Sequence, residues 1–366
     1  MDLLRVTYRL DVPASEAEAR AEAVAREQTV EVPRAVVDRE PFLAEHIVGR
    51  VEAVVRGDDG AMLATIAYPA ATTASDPAQL LNVVFGMTSL QPDATCVELE
   101  VPAGIASALG GPRFGIEGLR KATGVGGRAL TCTAVKPLGR SPAALAELMG
   151  CFARAGIDVV KDDQGLADHA FCPFEARVRA CLDAVRRAAE ETGHRSVYAP
   201  NLIGAPSTVF AQLRMAEDLG ARAVMASPML IGLPVFWELT RRSSVPVLAH
   251  PSFAGAQRFA TDLLFGGILR LYGADAVIFV GSGGRYGTPR ETCLALAARL
   301  RRPWGDLLPS LPVPGGGVQL EEVAELVAFY GRDVMLLVGG SLLVEAGAVE
   351  ARSRAFVAAV REARAG

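Results

Sequence analysis

The chain has 366 residues, 51% of them hydrophobic and 21% charged, with a formal net charge of −4 at neutral pH. That length can bury a large core and more than one domain, and the absence of a basic patch argues against nucleic acid as a partner. No run of about 18 apolar residues marks a membrane span, and the start, MDLLRVTYRLDVPASEAEAR, lacks the apolar stretch of a signal peptide. Six scattered cysteines (Cys96, Cys132, Cys151, Cys172, Cys181 and Cys293) form no CxxC pair. They read as reduced thiols of a cytoplasmic protein.

The first 118 residues read as a small α+β domain. LLRVTYRLDV alternates like a strand, and ASEAEARAEAVAREQTV is a helix with an acidic start. AEHIVGRVEAVVRGDDGAMLATIAYPAA gives two strands around an Asp-Gly turn, and DPAQLLNVVFG a second short helix. The Gly-rich GGPRFGIEGLRKATGVGG reads as a connector, with Lys121 in a polar loop.

Residues 119–366 alternate short β-rich runs with amphipathic helices. The strand candidates are Ala129–Val135, Ile157–Lys161, Ser196–Asn201, Ala221–Ala226, Val245–His250, Asp275–Val280, Leu308–Val313 and Asp333–Val338. The helix after the first opens on Ser141 with Pro142 at its first position. FAGAQRFATDLLFGGILRLYG reads as one helix after strand five. Eight strand–helix units predict a (β/α)8 barrel, a TIM barrel, with a doubly wound open sheet as the alternative. Strand seven is the weakest, because LLPSLPVPGGG carries three prolines.

Barrel enzymes keep their chemistry at the C-terminal strand ends. Those positions hold Lys136, the cluster Lys161-Asp162-Asp163-Gln164, Asn201, Ser227, His250, VGSGGRYG, PGGG and VGGS. Of 37 lysines and arginines only Lys121, Lys136 and Lys161 are lysines. A lysine amine can be tuned as a base or nucleophile, whereas a guanidinium cannot release its proton. The PGGG and VGGS turns predict backbone amides aimed at one phosphate, from Gly315, Gly316, Gly317, Gly339, Gly340 and Ser341. Glycine is also common at tight turns. Lys161 allows three readings: a salt bridge, a Schiff-base lysine, or, once it has added CO2 as a carbamate, an oxygen ligand for magnesium. Successive side chains leave a strand on opposite faces, so only Asp163 shares the pocket side with Lys161.

These stretches resemble a known family. AGIDVVKDDQ is similar to the GGLDFxKDDE segment of the RuBisCO large subunit, and TAVKPLGRSPAALAEL, LPVPGGG and LLVGGS resemble its first strand and its phosphate loops. Residues 25–33 and 80–93 resemble the N-terminal domain of the non-carboxylating RuBisCO-like proteins. The resemblance implies a ferredoxin-like N-terminal domain before the barrel, and a homodimer whose active site is shared between subunits. It implies a carbamylated Lys161, with Asp163 and Gln164 beside it as magnesium ligands, Lys136 as acid or base, and His250 near the substrate. Glu27 falls near the acidic residue contributed across the dimer, and Asn201 is a further candidate for substrate contact.

The departures argue against CO2 fixation. Gln164 stands where the family has glutamate, which removes a negative charge from the ligand set. The strand-one motif KPLG lacks a second lysine, Pro314 replaces a serine, Pro251 an arginine and Met87 an asparagine. Loop six carries Arg285 and no lysine. What is expected is enediolate chemistry on a small phosphorylated keto-sugar: enolisation, isomerisation, or decarboxylation with Arg285 holding a carboxylate. A metal-free enzyme with Lys161 or Lys136 as base, and a non-catalytic binding protein, remain the alternatives.

Overall fold

A computed structural model describes residues 2–282, 287–345 and 347–363. Strands β1 (Leu3–Leu10), β2 (Arg50–Arg56), β3 (Met62–Pro69) and β4 (Ala94–Glu100) form an antiparallel sheet in the order β2-β3-β1-β4. Alternation in β1 sends Leu4, Val6, Tyr8 and Leu10 into the core. Helices Ala17–Glu27 and Pro77–Phe85 share that core, and the Tyr8 hydroxyl donates to Val84 O at 2.6 Å. The order β-α-β-β-α-β is the ferredoxin-like arrangement.

The barrel strands are β5 (Leu130–Val135), β6 (Val159–Asp162), β7 (Val197–Ala199), β8 (Asn201–Leu202), β9 (Val224–Ala226), β10 (Val247–Ala249), β11 (Ala276–Val280), β12 (Leu311–Gly315) and β13 (Met335–Leu337), joined by parallel ladders. The third barrel strand is split at Pro200: β7 pairs with β6 and β8 with β9. The seventh starts three residues later than the sequence implies and runs on to Gly315. Leu311 gives its N–H to Asp275 O on the β11 side. The alternating positions Pro312 and Pro314 turn to the other side and have no N–H to give. Accordingly no ladder joins β12 to β13 among the described residues, although the two lie side by side. A Cβ on Gly315 would come within 2.5 Å of the Leu337 side chain.

Leu130, Cys132, Val159, Met225, Leu248, Ile278, Val313 and Met335 fill the barrel. Its floor is closed by Gly115–Thr123, a helix where the sequence reads as connector, with Ile116 and Leu119 entering the interior core. Asp275 holds that helix by accepting from the backbone N–H groups of Phe114 and Gly115, both at 2.7 Å. A second departure lies after strand five, where the helix begins only at Thr261. Cys96 of β4 pairs with Arg258 O and the Ala260 N–H, at 3.1 and 2.8 Å, and draws that stretch out of helical geometry. All six cysteines are free. Among the described residues no helix is long and apolar enough to cross a membrane.

Candidate active site

A cavity of about 680 Å³ opens at the C-terminal mouth of the barrel, lined by Lys136, Lys161, Gln164, His250, Phe253, Gly315–Gly317 and Gly339–Ser341. Period-two alternation builds it: Ala134 and Lys136 continue the inward face of β5, and Lys161 that of β6. Lys136 Nζ lies 2.6 Å from Asp163 Oδ2. Asp163 Oδ1 accepts from the Gly165 N–H at 2.9 Å. Burial would raise the Asp163 pKa, but Lys136 and the Gly165 N–H outweigh it and hold the carboxyl below its usual range.

Lys161 is 2% exposed and donates one hydrogen bond, to Asp162 O at 3.1 Å. Burial lowers its pKa; Cys132 and Asp163 oppose the shift, and Lys136 adds to it. His250 is pulled down to about 2, by burial first and then by Lys161 and Lys136. The Ser252 N–H lies 3.2 Å from His250 Nδ1. A backbone N–H can only donate, so Nδ1 accepts and the ring proton of this neutral imidazole sits on Nε2. In the same cavity, Gly316 and Gly317 adopt φ values of +92° and +130° that a side chain would strain. Ser341 Oγ ties the two glycine turns together by donating to Val318 O at 3.1 Å.

Asp162, next in sequence to Asp163, takes the other face. Its carboxylate accepts from Arg177 Nε (3.0 Å), the Tyr198 hydroxyl (2.7 Å) and the Asn201 N–H (3.0 Å). Arg177, wholly buried, also donates to Ala167 O and Cys172 O and so fixes the loop that carries Asp163 and Gln164. Sequence reasoning missed Arg177 and Tyr198; an outward-facing buried Asp162 calls for a cation on the following helix, and that was the available signal.

Other expected residues lie elsewhere. Asn201 does not line the cavity: it is wholly buried, and its amide donates to Gln164 O and Leu166 O, both at 3.1 Å. Within one chain Glu27 lines a separate cavity of about 290 Å³ in the N-terminal domain, beside Gln28, Asn82 and Met87. Arg285 lies outside the described residues.

Residues 115–276 match the family described as ribulose bisphosphate carboxylase large chain, catalytic domain. The chain is 46% identical over 356 residues to ribulose bisphosphate carboxylase-like protein 1 of Rhodopseudomonas palustris, covering 97% of this chain and 96% of the relative. This chain belongs to the RuBisCO-like branch of the RuBisCO large-chain family. It is also 41% identical over 361 residues to a 5-methylthioribulose-1-phosphate isomerase of Rhodospirillum rubrum, covering 98% and 96%. A solved Rubisco-like protein from Rhodopseudomonas palustris superposes with a TM-score of 0.91 at 41% identity, covering 99% of this chain and 98% of that one. The RuBisCO-like fold, antiparallel sheet first and parallel barrel second, is therefore that of this protein.

The donor set can be tested against a hard cation. No group of three or more histidine, cysteine, aspartate or glutamate side chains converges among the described residues. Unmodified, the mouth offers one carboxylate, Asp163, and the amide of Gln164. A carbamate on Lys161 would supply the missing anionic oxygen, and the lowered Lys161 pKa favours the neutral amine that adds CO2. So modified, the three residues fit magnesium, which takes few protein oxygens and keeps several waters.

Proposed function

We propose that the protein is an isomerase that works through an enediolate on a small phosphorylated keto-sugar, and that it does not fix CO2. The observation that carries this reading is that Lys136, Lys161, His250 and the two glycine turns line one cavity, with Asp163 paired to Lys136. The glycine turns would bind the phosphate and set the distance to the carbonyl. A base takes the proton from the carbon beside the ketone, the C–H pair becomes the C=C bond, and the carbonyl pair moves onto oxygen. Lys136, held by Asp163, and the Nε2–H of His250 stand ready to donate to that oxygen. The hydroxyl on the deprotonated carbon then gives up its proton as that C–O becomes the new carbonyl, the C=C pair takes a proton at the former carbonyl carbon, and isomerisation is complete. Magnesium held by carbamylated Lys161, Asp163 and Gln164 would polarise the carbonyl.

The lowered Lys161 pKa also favours a second reading, in which the neutral amine is itself the base. Chelator separates the two: loss of turnover in EDTA with recovery on magnesium and bicarbonate supports the carbamate, and full activity in EDTA supports the amine. The overall proposal is tested by incubating 5-methylthioribulose 1-phosphate in D2O. Deuterium in an isomerised product is expected, and no exchange with any phosphorylated ketopentose would overturn it.

The working unit proposed is a homodimer. Leu138, Phe171, Leu230, Phe253 and Val344 stand exposed around the mouth, and Phe42, Met87 and Leu90 on the N-terminal domain. Such surface fits a partner's N-terminal domain over the barrel, with Glu27 arriving from the partner. Mixing inactive Lys161→Met and Glu27→Gln chains should restore about a quarter of wild-type activity under random pairing of subunits. No recovery in exchanging subunits would reject a shared site.

A further inference from the structure

On the outer wall of the barrel the helices Phe174–Thr192 and Pro206–Asp218 flank a groove of about 370 Å³, a size within the range of small-molecule clefts. Leu182, Val185 and Ala189 fall at three- and four-residue steps on one face of the first helix, and Leu219 follows the second, so the groove has apolar sides. Tyr198 of β7, almost wholly buried, lines it as well. Arg195 comes just before β7 and Arg222 just before β9. The groove therefore lies toward the N-terminal ends of the strands. It shares no lining residue with the cavity at the mouth.

Its cations are not matched by anions. Arg222 is half-buried, and its guanidinium donates only to backbone oxygens: to Ala122 O, and to Arg195 O at 3.5 Å. Both bonds use Nη2, so Nε and Nη1 carry no bond to the protein among the described residues. Burial and then Arg195 lower the Arg222 pKa, and no carboxylate opposes them. Arg195 is exposed at the rim. Neither arginine forms an ion pair among the described residues. Two more charged side chains line the groove, Arg186 and Glu190, both exposed, and Arg186 is already paired with Asp183. Arg195 and Arg222 set against Glu190 leave one positive charge without a counter-charge. Like charges held together at a partly buried edge favour an anion that joins them.

We propose that this groove is a binding site for a small carboxylate with an apolar tail: the head group bridges Arg195 and Arg222, and the tail lies along Leu182, Val185, Ala189 and Leu219. A carboxylate matches the paired N–H donors of a guanidinium and supplies the single negative charge that the lining lacks. Burial of the tail adds apolar contact. The site lies beyond the reaction proposed at the barrel mouth and does not depend on it.

Calorimetric titration of the full-length protein with octanoate, octyl phosphate and 1-octanol tests the proposal. Octanoate should bind with a Kd of about 1 mM or lower. It should bind at least about tenfold more tightly than 1-octanol, which has the tail without the charge. Two variants locate the site from opposite sides. Arg195→Glu reverses a charge at an exposed position, and Ala189→Trp fills the apolar side and keeps both arginines. Each should weaken octanoate at least about tenfold, with a melting temperature near that of the wild type to show that the chain is folded. No binding of octanoate, 1-octanol bound as tightly as octanoate, or octanoate binding unchanged in either folded variant overturns the proposal. Tighter binding of octyl phosphate than of octanoate, lost in the same variants, overturns the carboxylate as the ligand class.

Discussion

Asp158 and Lys161 stand three residues apart, one just before β6 at the floor of the barrel and one on β6 at its mouth, and both are buried. Asp158 accepts four hydrogen bonds: two from Arg128, at 2.7 and 2.8 Å, and two from the backbone and hydroxyl of Thr131, at 2.8 and 2.9 Å. Lys161 donates one. A buried charge whose partners are all internal is a fastener. A buried amine with two donors free and a lowered pKa is held in readiness for something that binds. The same contrast separates Asp275, fixed by three backbone N–H groups, from His250, which lines an open cavity and is held through Nδ1 by Ser252.

The largest effect that would sharpen this contrast is at the mouth. Lys161→Met should lower kcat/KM by about 10³ or more, the scale on which removal of an acid–base group acts. The melting temperature should hold or rise, because an unpaired buried amine is replaced by an apolar chain of similar length. At the floor the pattern should invert. Asp158→Ala strands the buried end of Arg128 and the Thr131 N–H and should cost about 3–5 kcal/mol in a denaturant melt, with KM unchanged for the folded fraction. Loss of activity without loss of stability in Asp158→Ala would break the comparison.

Much of this was legible in the sequence because strands impose a period of two. Lys136, Lys161 and Asp163 fall on the pocket side by counting alone, and the glycine turns after β12 and β13 follow from their place in the eightfold repeat. What was not legible depends on partners far away in the chain. Asn201 has the parity of a site residue, yet its amide is engaged by the carbonyls of Gln164 and Leu166. The helix expected from residue 253 is undone by Cys96, which lies in the other domain's sheet. Gly115–Thr123 reads as loop because it opens with glycine and lacks a cap; the Asp275 carboxylate supplies the acceptor that its own sequence does not.

His250 should give a smaller effect than Lys161. His250→Gln removes the Nε2–H donor and is expected to reduce kcat about 10²-fold, as loss of one oxyanion donor does. With a folded pKa of about 2, the wild-type rate profile should show no limb from this imidazole near pH 6.5. The linkage runs one way: the unfolded chain binds a proton below about pH 6.5 that the folded chain refuses until about pH 2. Stability should thus fall as pH drops through 6.5, and His250→Gln should flatten that fall in thermal melts between pH 7 and 4. An imidazolium limb in kcat near neutrality would place His250 among the proton-transfer groups instead.

The finest test concerns Gln164, the one position of the proposed ligand set that lacks a charge. Gln164→Glu adds a carboxylate at the mouth beside Asp163 with almost no change of shape. If Lys161 is carbamylated and magnesium is held there, the added charge should lower the magnesium concentration for half-maximal activity by about tenfold, equivalent to ~1.4 kcal/mol. The same carboxylate would sit near Asp163 and Lys136, so without metal it competes for the Lys136 ammonium. If Lys161 acts as a free amine, Gln164→Glu should instead leave the enzyme indifferent to magnesium and raise the Lys161 pKa, because a nearby negative charge favours the protonated form. The acidic limb of kcat/KM, set by protonation of that amine, would then move to higher pH. Titrating magnesium at fixed bicarbonate, with the pH profile recorded for both proteins, separates these outcomes. They also decide whether the spare capacity at Lys161 is completed by CO2 or by a proton.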